Sequence, residues 1–349
     1  SSYMKKKRIS KKKTEATDSV SGGTAPAYDV EPATKLAIEH APNLTPELCE
    51  FVQFVAKKGR ELYRDLPWRR TYDPYAIWIS EVMLQQTQVS RVDGRWQRWL
   101  ERFPTVDALA AAAPSDVLEE WQGLGYNRRA LSVHRAAQAI SEAGGVFPQD
   151  PKKLVKLPGI GPATAAGIRA FAFNLHGVYL ETNVRTVFLH ELYPQAEGVP
   201  DSELVPLVEL TCPASVADAA NADGAANADA NSSANDATAA LTPRSWYYAL
   251  LDYGAYLKKT IPNPSRRSKS HVKQSRFEGS HRQKRAELLR VLLAHKDDGG
   301  AKFEMLHQEL CQIEVNAGRE TLDEQVTLGL LEELAKEGFC QKNDEYWLP

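Results

Sequence analysis

Two glycines and two prolines stand together in LPGIGPAT, residues 157–164, between segments that otherwise read as helix. Gly159 and Gly161 permit positive φ and leave no side chain between the backbone and a ligand, and Pro162 suits the first turn of a following helix. DPKKLVK and PATAAGIRAFAF then read as two short helices joined by a tight turn at LPGIG. Unpaired amides at a helix N-terminus form an anion site, and a nucleic-acid phosphate fits it.

The sequence on either side is helical in pattern from Leu44 to about Pro213. PELCEFVQFVAKKGRELY carries apolar residues at helical spacing, PYAIWISEVMLQQTQVSRVDGRWQRWLERF continues in that manner, and VDALAAAAPSDVLEEWQGLG follows Pro104. Residues 1–43 show no apolar period and read as a disordered basic tail. Residues 214–241, built almost wholly from Ala, Asn, Asp and Ser, read as a disordered low-complexity insertion. Helix resumes in TPRSWYYALLDYGAYLKK, so one helical domain spans 44–213 and 242–260. After a basic linker, 261–279, residues 280–349 offer three helices and a hairpin turning at Lys342 to Glu345, which reads as a winged helix. Its third helix carries Asp323, Glu324, Glu332, Glu333 and Glu337; such a face repels phosphate, so it is expected to pack or meet protein instead of reading bases. The fold class is mainly α, two-lobed, with a small C-terminal α+β domain.

Charge is uneven along the chain. The formal net charge is −2, yet KKKRISKKK holds seven basic residues without an acid, and Lys258 to Arg290 holds eleven Lys/Arg against Glu278 and Glu287. Local basic surfaces therefore survive a neutral total. The four cysteines, Cys49, Cys212, Cys311 and Cys340, are too scattered for an iron–sulfur run or a tight zinc site and read as reduced thiols. Nothing approaches the roughly 20 apolar residues of a membrane span. A monomeric intracellular protein, nucleoid-associated if bacterial, is expected.

PWRRTYDPYAIWISEVMLQQTQV, EEWQGLGYNRRA, VKLPGIGPATAAGI and LETNVRTVF, in this order, resemble the helix-hairpin-helix DNA glycosylases of the endonuclease III superfamily, and within it the A/G-specific adenine glycosylases of the MutY type. The likeness covers about residues 60–194 and resumes at 244–258, with SEVMLQQTQV its most specific part. It implies base-excision repair of double-stranded DNA holding a mismatched or damaged base: one nucleotide is extruded and its N-glycosidic bond is hydrolysed. Adenine is a poor leaving group, so a general acid protonates the base and a carboxylate stabilises or captures the sugar cation. By resemblance Glu81 is the acid, desolvated by apolar neighbours on its helix, and Glu181 stands where the family usually has the catalytic aspartate. Asn183 matches an asparagine that orients this carboxylate. Gln86 and Tyr126 match residues that wedge into the base stack. Leu157, Gly159, Gly161 and Thr164 belong to the phosphate-binding hairpin, which often holds a monovalent cation, and Arg266 and Arg267 of the linker are expected on DNA.

Several departures matter. Superfamily members that also cut the strand carry a lysine at the position of Ala163, and alanine forms no imine, so a monofunctional enzyme without lyase activity is implied. Lys258 falls where the first cysteine ligand of the usual iron–sulfur loop would stand, so no cluster is expected and catalysis needs no cofactor. An 8-oxoguanine-sensing C-terminal domain has no counterpart, the winged helix taking its place. The reading is therefore excision of adenine opposite guanine or 8-oxoguanine. Two alternatives stay open: a glycosylase for another base, such as uracil or thymine, and a catalytically silent DNA-binding lesion sensor.

Overall fold

The computed structural model describes residues 44–216, 241–261 and 276–349. The basic tail, most of the low-complexity insertion, and Arg266 and Arg267 lie outside them. In chain order the helices are α1 (Pro46–Glu61), α2 (Pro74–Leu84), α3 (Val89–Val92), α4 (Arg95–Arg102), α5 (Val106–Ala111), α6 (Pro114–Trp121), α7 (Arg128–Glu142), α8 (Pro151–Leu154), α9 (Pro162–Phe173), α10 (Thr182–Leu192), α11 (Asp201–Thr211), α12 (Pro243–Thr260), α13 (His281–Ala294), α14 (Phe303–Asn316) and α15 (Glu324–Lys336). Three short strands, β1 (Ala301–Lys302), β2 (Gln341–Asn343) and β3 (Tyr346–Leu348), form an antiparallel sheet in the order β1-β3-β2. The hairpin β2–β3 stands where the sequence places it; β1, only two residues long, carries no alternation that could reveal it.

The chain divides into two compact units, one of residues 1–78 with 161–272 and the other of residues 79–160 with 273–349. In the first, α12 is central. A reciprocal cap starts it: Thr242 Oγ1 accepts from the Ser245 N–H at 3.2 Å and Ser245 Oγ from the Thr242 N–H at 2.9 Å. Trp246, Tyr247 and Leu250 of α12 are buried with Phe51, Phe171 and Phe188 in one apolar cluster. The packing is close enough that a Cβ on Gly59 would stand 2.3 Å from that of Ala249. Asp252, wholly buried, accepts both terminal nitrogens of buried Arg69 at 2.8 Å and Arg64 Nε at 2.6 Å. This pair joins the segments PWRR and LDYG, 183 residues apart.

In the second unit Trp99 packs edge-on against Trp121 and Phe103. The C-terminal module of α13–α15 and the sheet belongs to this same unit. Lys296 binds Asp116 at 2.7 Å and Glu119 at 3.1 Å on α6. Glu337, just after α15, pairs with Arg285 of α13 and with Arg128 of α7. Glu333 meets His281 at 2.7 Å and Arg285 at 3.6 Å. Two of the acids in and just after the module's third helix, Glu333 and Glu337, thus have intramolecular partners.

Residues 74–103, helical in pattern, form three separate helices. The segment breaks after Leu84 and again at Asp93 and Gly94, giving α2, α3 and α4, with Gln86 at φ 57° in the first break. The hairpin also differs in detail. Gly159 has φ +74°, and a Cβ there would meet Ser132 Cβ at 2.8 Å, so glycine is required twice over. Gly161 does not use positive φ: at φ −86° and ψ 178° it is the extended N-cap of α9, and a Cβ on it would meet nothing.

Candidate functional site

In the first unit, Glu181 is the N-cap of α10. Its Oε1 accepts the Val184 N–H at 2.6 Å, and the Asn183 N–H also favours its ionised form. Burial nevertheless raises its carboxyl above the usual glutamate range, opposed by the Val184 bond and then by the cations of Lys258 and Arg185. Lys258 is half-buried on α12 and its ammonium is lowered, by burial first, while Glu181 pulls it back up and Arg185 and Arg64 push it down. Arg185 is itself held by Asp201 through two 2.9 Å bonds. The result is a carboxylate at the positive end of a helix, partly shielded from water, with a half-buried cation nearby. Such a group can face a developing positive charge on a reactant. Asn183 contributes through its backbone, which lies directly against Gly254 of α12.

In the second unit, Glu81 is half-buried near the end of α2, with Val82 and Met83 beside it buried. Gln86 and Tyr126 occupy separate loops, and both adopt the left-handed region, at φ 57° and 48°. Non-glycine residues adopt it at a cost that neighbouring structure must offset. Arg129 supplies that restraint. Its Nη1 donates to the carbonyls of Val82 and Gln85, and its Nη2 to those of Leu124 at 3.2 Å and Gly125 at 3.1 Å, with Thr87 Oγ1 at 3.3 Å. The guanidinium also lies over the rings of Trp121, at 5.0 Å, and Tyr126, at 5.7 Å. Burial pushes its pKa down to about 10, so it stays charged at neutral pH. Arg91 and Arg95 donate to the carbonyls of Gly123 and Gln122 in the same loop. One residue thus fixes two exposed loops that sequence alone only names.

Within the hairpin, Leu157 is half-buried, and its carbonyl accepts the Ile160 N–H at 3.2 Å. Gly161 is exposed, and no side chain caps α9. Thr164, at the third position of α9, is buried at 6% exposure. Cys49 and Cys212 lie in the first unit and Cys311 and Cys340 in the second, and among the described residues no group of three His, Cys, Asp or Glu could hold a metal ion. Nor is any helix of the described residues long and apolar enough to cross a membrane.

Arg129, Lys258 and Arg282 are the side chains that sequence reasoning passed over as functional. The signal for Arg129 was its place three residues after Tyr126 in GLGYNRR, at the second position of α7.

The first unit thus holds a half-buried carboxylate at a helix N-terminus, and the second two polar loops with a non-glycine residue in the left-handed region. Residues 79–231 match the HhH-GPD superfamily of base excision DNA repair proteins. Over 136 residues the chain is 46% identical to the adenine DNA glycosylase of Mycolicibacterium smegmatis, covering 38% of this chain and 46% of that protein. With the human adenine DNA glycosylase it shares 39% identity over 134 residues, 36% of this chain and 24% of the other. The chain therefore spans less than half the length of these curated relatives. Among solved structures, a thermostable thymine-DNA glycosylase aligns at a TM-score of 0.47 and 21% identity, over 60% of this chain and 86% of that one.

Proposed function

We propose that this protein is a monofunctional DNA glycosylase that removes adenine from mismatches with guanine or 8-oxoguanine in duplex DNA. The observation that carries the reading is Glu181, a carboxylate withdrawn from water at the start of α10, where it can face the cationic sugar formed as the base departs. The resemblance to adenine DNA glycosylases supplies the base. Gln86 and Tyr126, held outward by the Arg129 clamp, fill the gap left by extrusion. Glu81 protonates the departing adenine, Glu181 stabilises the sugar cation, and water completes hydrolysis. Asn183 supports Glu181 through the α10 backbone. The amides opening α9 take a DNA phosphate that Gly161 leaves uncovered, with a monovalent cation bound at the turn Leu157–Gly161. Arg266 and Arg267 add phosphate contacts. Ala163 leaves no amine at the lyase position, so the product is an intact abasic strand, and the reaction uses no iron–sulfur cluster.

The test is a panel of duplexes, each with one mismatch or damaged base, incubated with the protein and then with alkali. Alkali-labile sites at adenine opposite guanine or 8-oxoguanine are expected. Cleavage at uracil or thymine instead would transfer the activity to another base, and tight binding without labile sites would reduce the protein to a lesion sensor. Trapping of a protein–DNA imine by borohydride would overturn the monofunctional reading.

A further inference from the structure

The ring of Tyr126 is met from two sides of the sequence. Arg129 approaches it from α7, and Arg282, the second residue of α13 in the C-terminal module, places its guanidinium 5.6 Å from the ring centroid and donates from Nη1 to the phenol oxygen at 3.4 Å. The same guanidinium lies 5.0 Å from the ring of Phe277. Arg128, two residues beyond Tyr126, binds Glu337 of the module, and Lys296 binds Asp116 and Glu119. These bonds fix the module to the lobe that carries the ring. They also occupy Glu337, while His281 and Arg285 engage Glu333. At the start of α13 it is Arg282 that stands beside Tyr126.

We propose that Arg282 is a DNA-contacting residue, its guanidinium held beside Tyr126 to bind a phosphate of the strand next to the ring. This rests on the reading of Tyr126 as a wedge in duplex DNA. An arginine stacked against an aromatic ring keeps its charge while losing little freedom on binding, because the rings already hold its plane. The C-terminal module then belongs to the DNA-binding surface through the first turn of α13, and its third helix does not read bases.

The probe is a duplex with one stable abasic-site analogue, and affinity is measured over a range of salt for the parent, Arg282→Gln and Arg282→Lys. Glutamine keeps a planar group against the rings without charge; lysine keeps charge. Arg282→Gln is expected to bind roughly tenfold more weakly at moderate salt, with the slope of log affinity against log salt smaller by about one, and Arg282→Lys is expected to restore the slope. A parent slope in Arg282→Gln overturns the proposal, whether affinity is unchanged or has fallen through loss of packing alone. Equal parent affinity for the abasic and an unmodified duplex counts against the glycosylase reading; the slope on either duplex still decides the role of Arg282. Absence of duplex binding by the parent overturns both.

Discussion

A Cβ on Gly254 would stand 2.3 Å from the carbonyl oxygen of Asn183 and 2.8 Å from its Cβ. The first turn of α10, which presents Glu181, is therefore laid directly on the backbone of α12, and only glycine allows the approach. Gly254→Ala is expected to lower stability by about 1–3 kcal/mol through overpacking and to slow base release by displacing Glu181. Urea unfolding and single-turnover excision measure the two effects. Parent values for both would show that the helices separate without consequence.

The Arg129 clamp predicts a different kind of damage. Replacing it by methionine removes donors from the carbonyls of Val82, Gln85, Leu124 and Gly125, and carbonyls left without a partner cost about 1–3 kcal/mol each where they are buried. Lysine should not rescue, since a point charge cannot fork between two loops. Hydrogen exchange over residues 85–88 and 122–127 is expected to accelerate in both variants. Unchanged protection in Arg129→Lys would mean that charge alone holds the loops.

Asp252 predicts the cost of an orphaned cation. Asp252→Asn leaves the Arg69 guanidinium buried against a neutral amide, and breaking such a pair costs about 3–5 kcal/mol. Thermal melting should fall sharply. A double variant with methionine at 69 and leucine at 252 should regain much of the loss, and failure to do so would point to packing as the cause.

These devices differ in how far the sequence announces them. The hairpin was legible because two glycines and a proline at fixed spacing have few other uses, and Gly159 meets Ser132 as such a turn requires. The acidic charge of the third helix was legible whatever the fold, and two of its acids, Glu333 and Glu337, are paired within the protein. By contrast, the break after Leu84 was hidden. QQTQV contains neither glycine nor proline, and Gln86 reaches positive φ because Arg129, 43 positions later, holds the neighbouring carbonyls. Thr164 sits inside a recognisable motif, but which face of α9 is buried depends on packing that no local pattern encodes. Lys258 stood out in the sequence only as a missing cysteine. Its electrostatic role appears once α10 and α12 are in contact.

That role makes a pH prediction. In the proposed reaction Glu181 acts ionised, and its pKa is raised by burial, so the acid limb of the excision profile should lie above the ordinary glutamate range. The Lys258 cation acts in the opposite direction, favouring the carboxylate, as Arg185 does. Lys258→Met should therefore move the limb to higher pH, while Lys258→Arg should leave it near the parent position. An unmoved limb in Lys258→Met would exclude the lysine from the electrostatics of the site.

Glu181 itself separates catalysis from stability. A carboxyl whose folded pKa is raised contributes stability that is fully present below its unfolded pKa and is lost as pH rises through the folded pKa. Above its folded pKa the ionised group thus works against the fold, although the proposed reaction uses that ionised form. Glu181→Gln can still accept the Val184 N–H, so it should melt no lower than the parent at pH 7, with an advantage that grows as pH rises through the folded pKa, yet base release should be abolished and duplex binding kept within a few-fold. Glu181→Asp divides the same two properties the other way. Aspartate is a preferred N-cap, so α10 should remain well started, but the carboxylate withdraws by about 1.5 Å, a misplacement that can cost about a hundredfold in rate. Single-turnover excision is therefore expected to slow in Glu181→Asp without loss of stability. Parent-like excision by Glu181→Gln would remove the carboxylate from the reaction, and a much faster Glu181→Asp would mean that the site was shaped for aspartate and that the longer side chain weakens it.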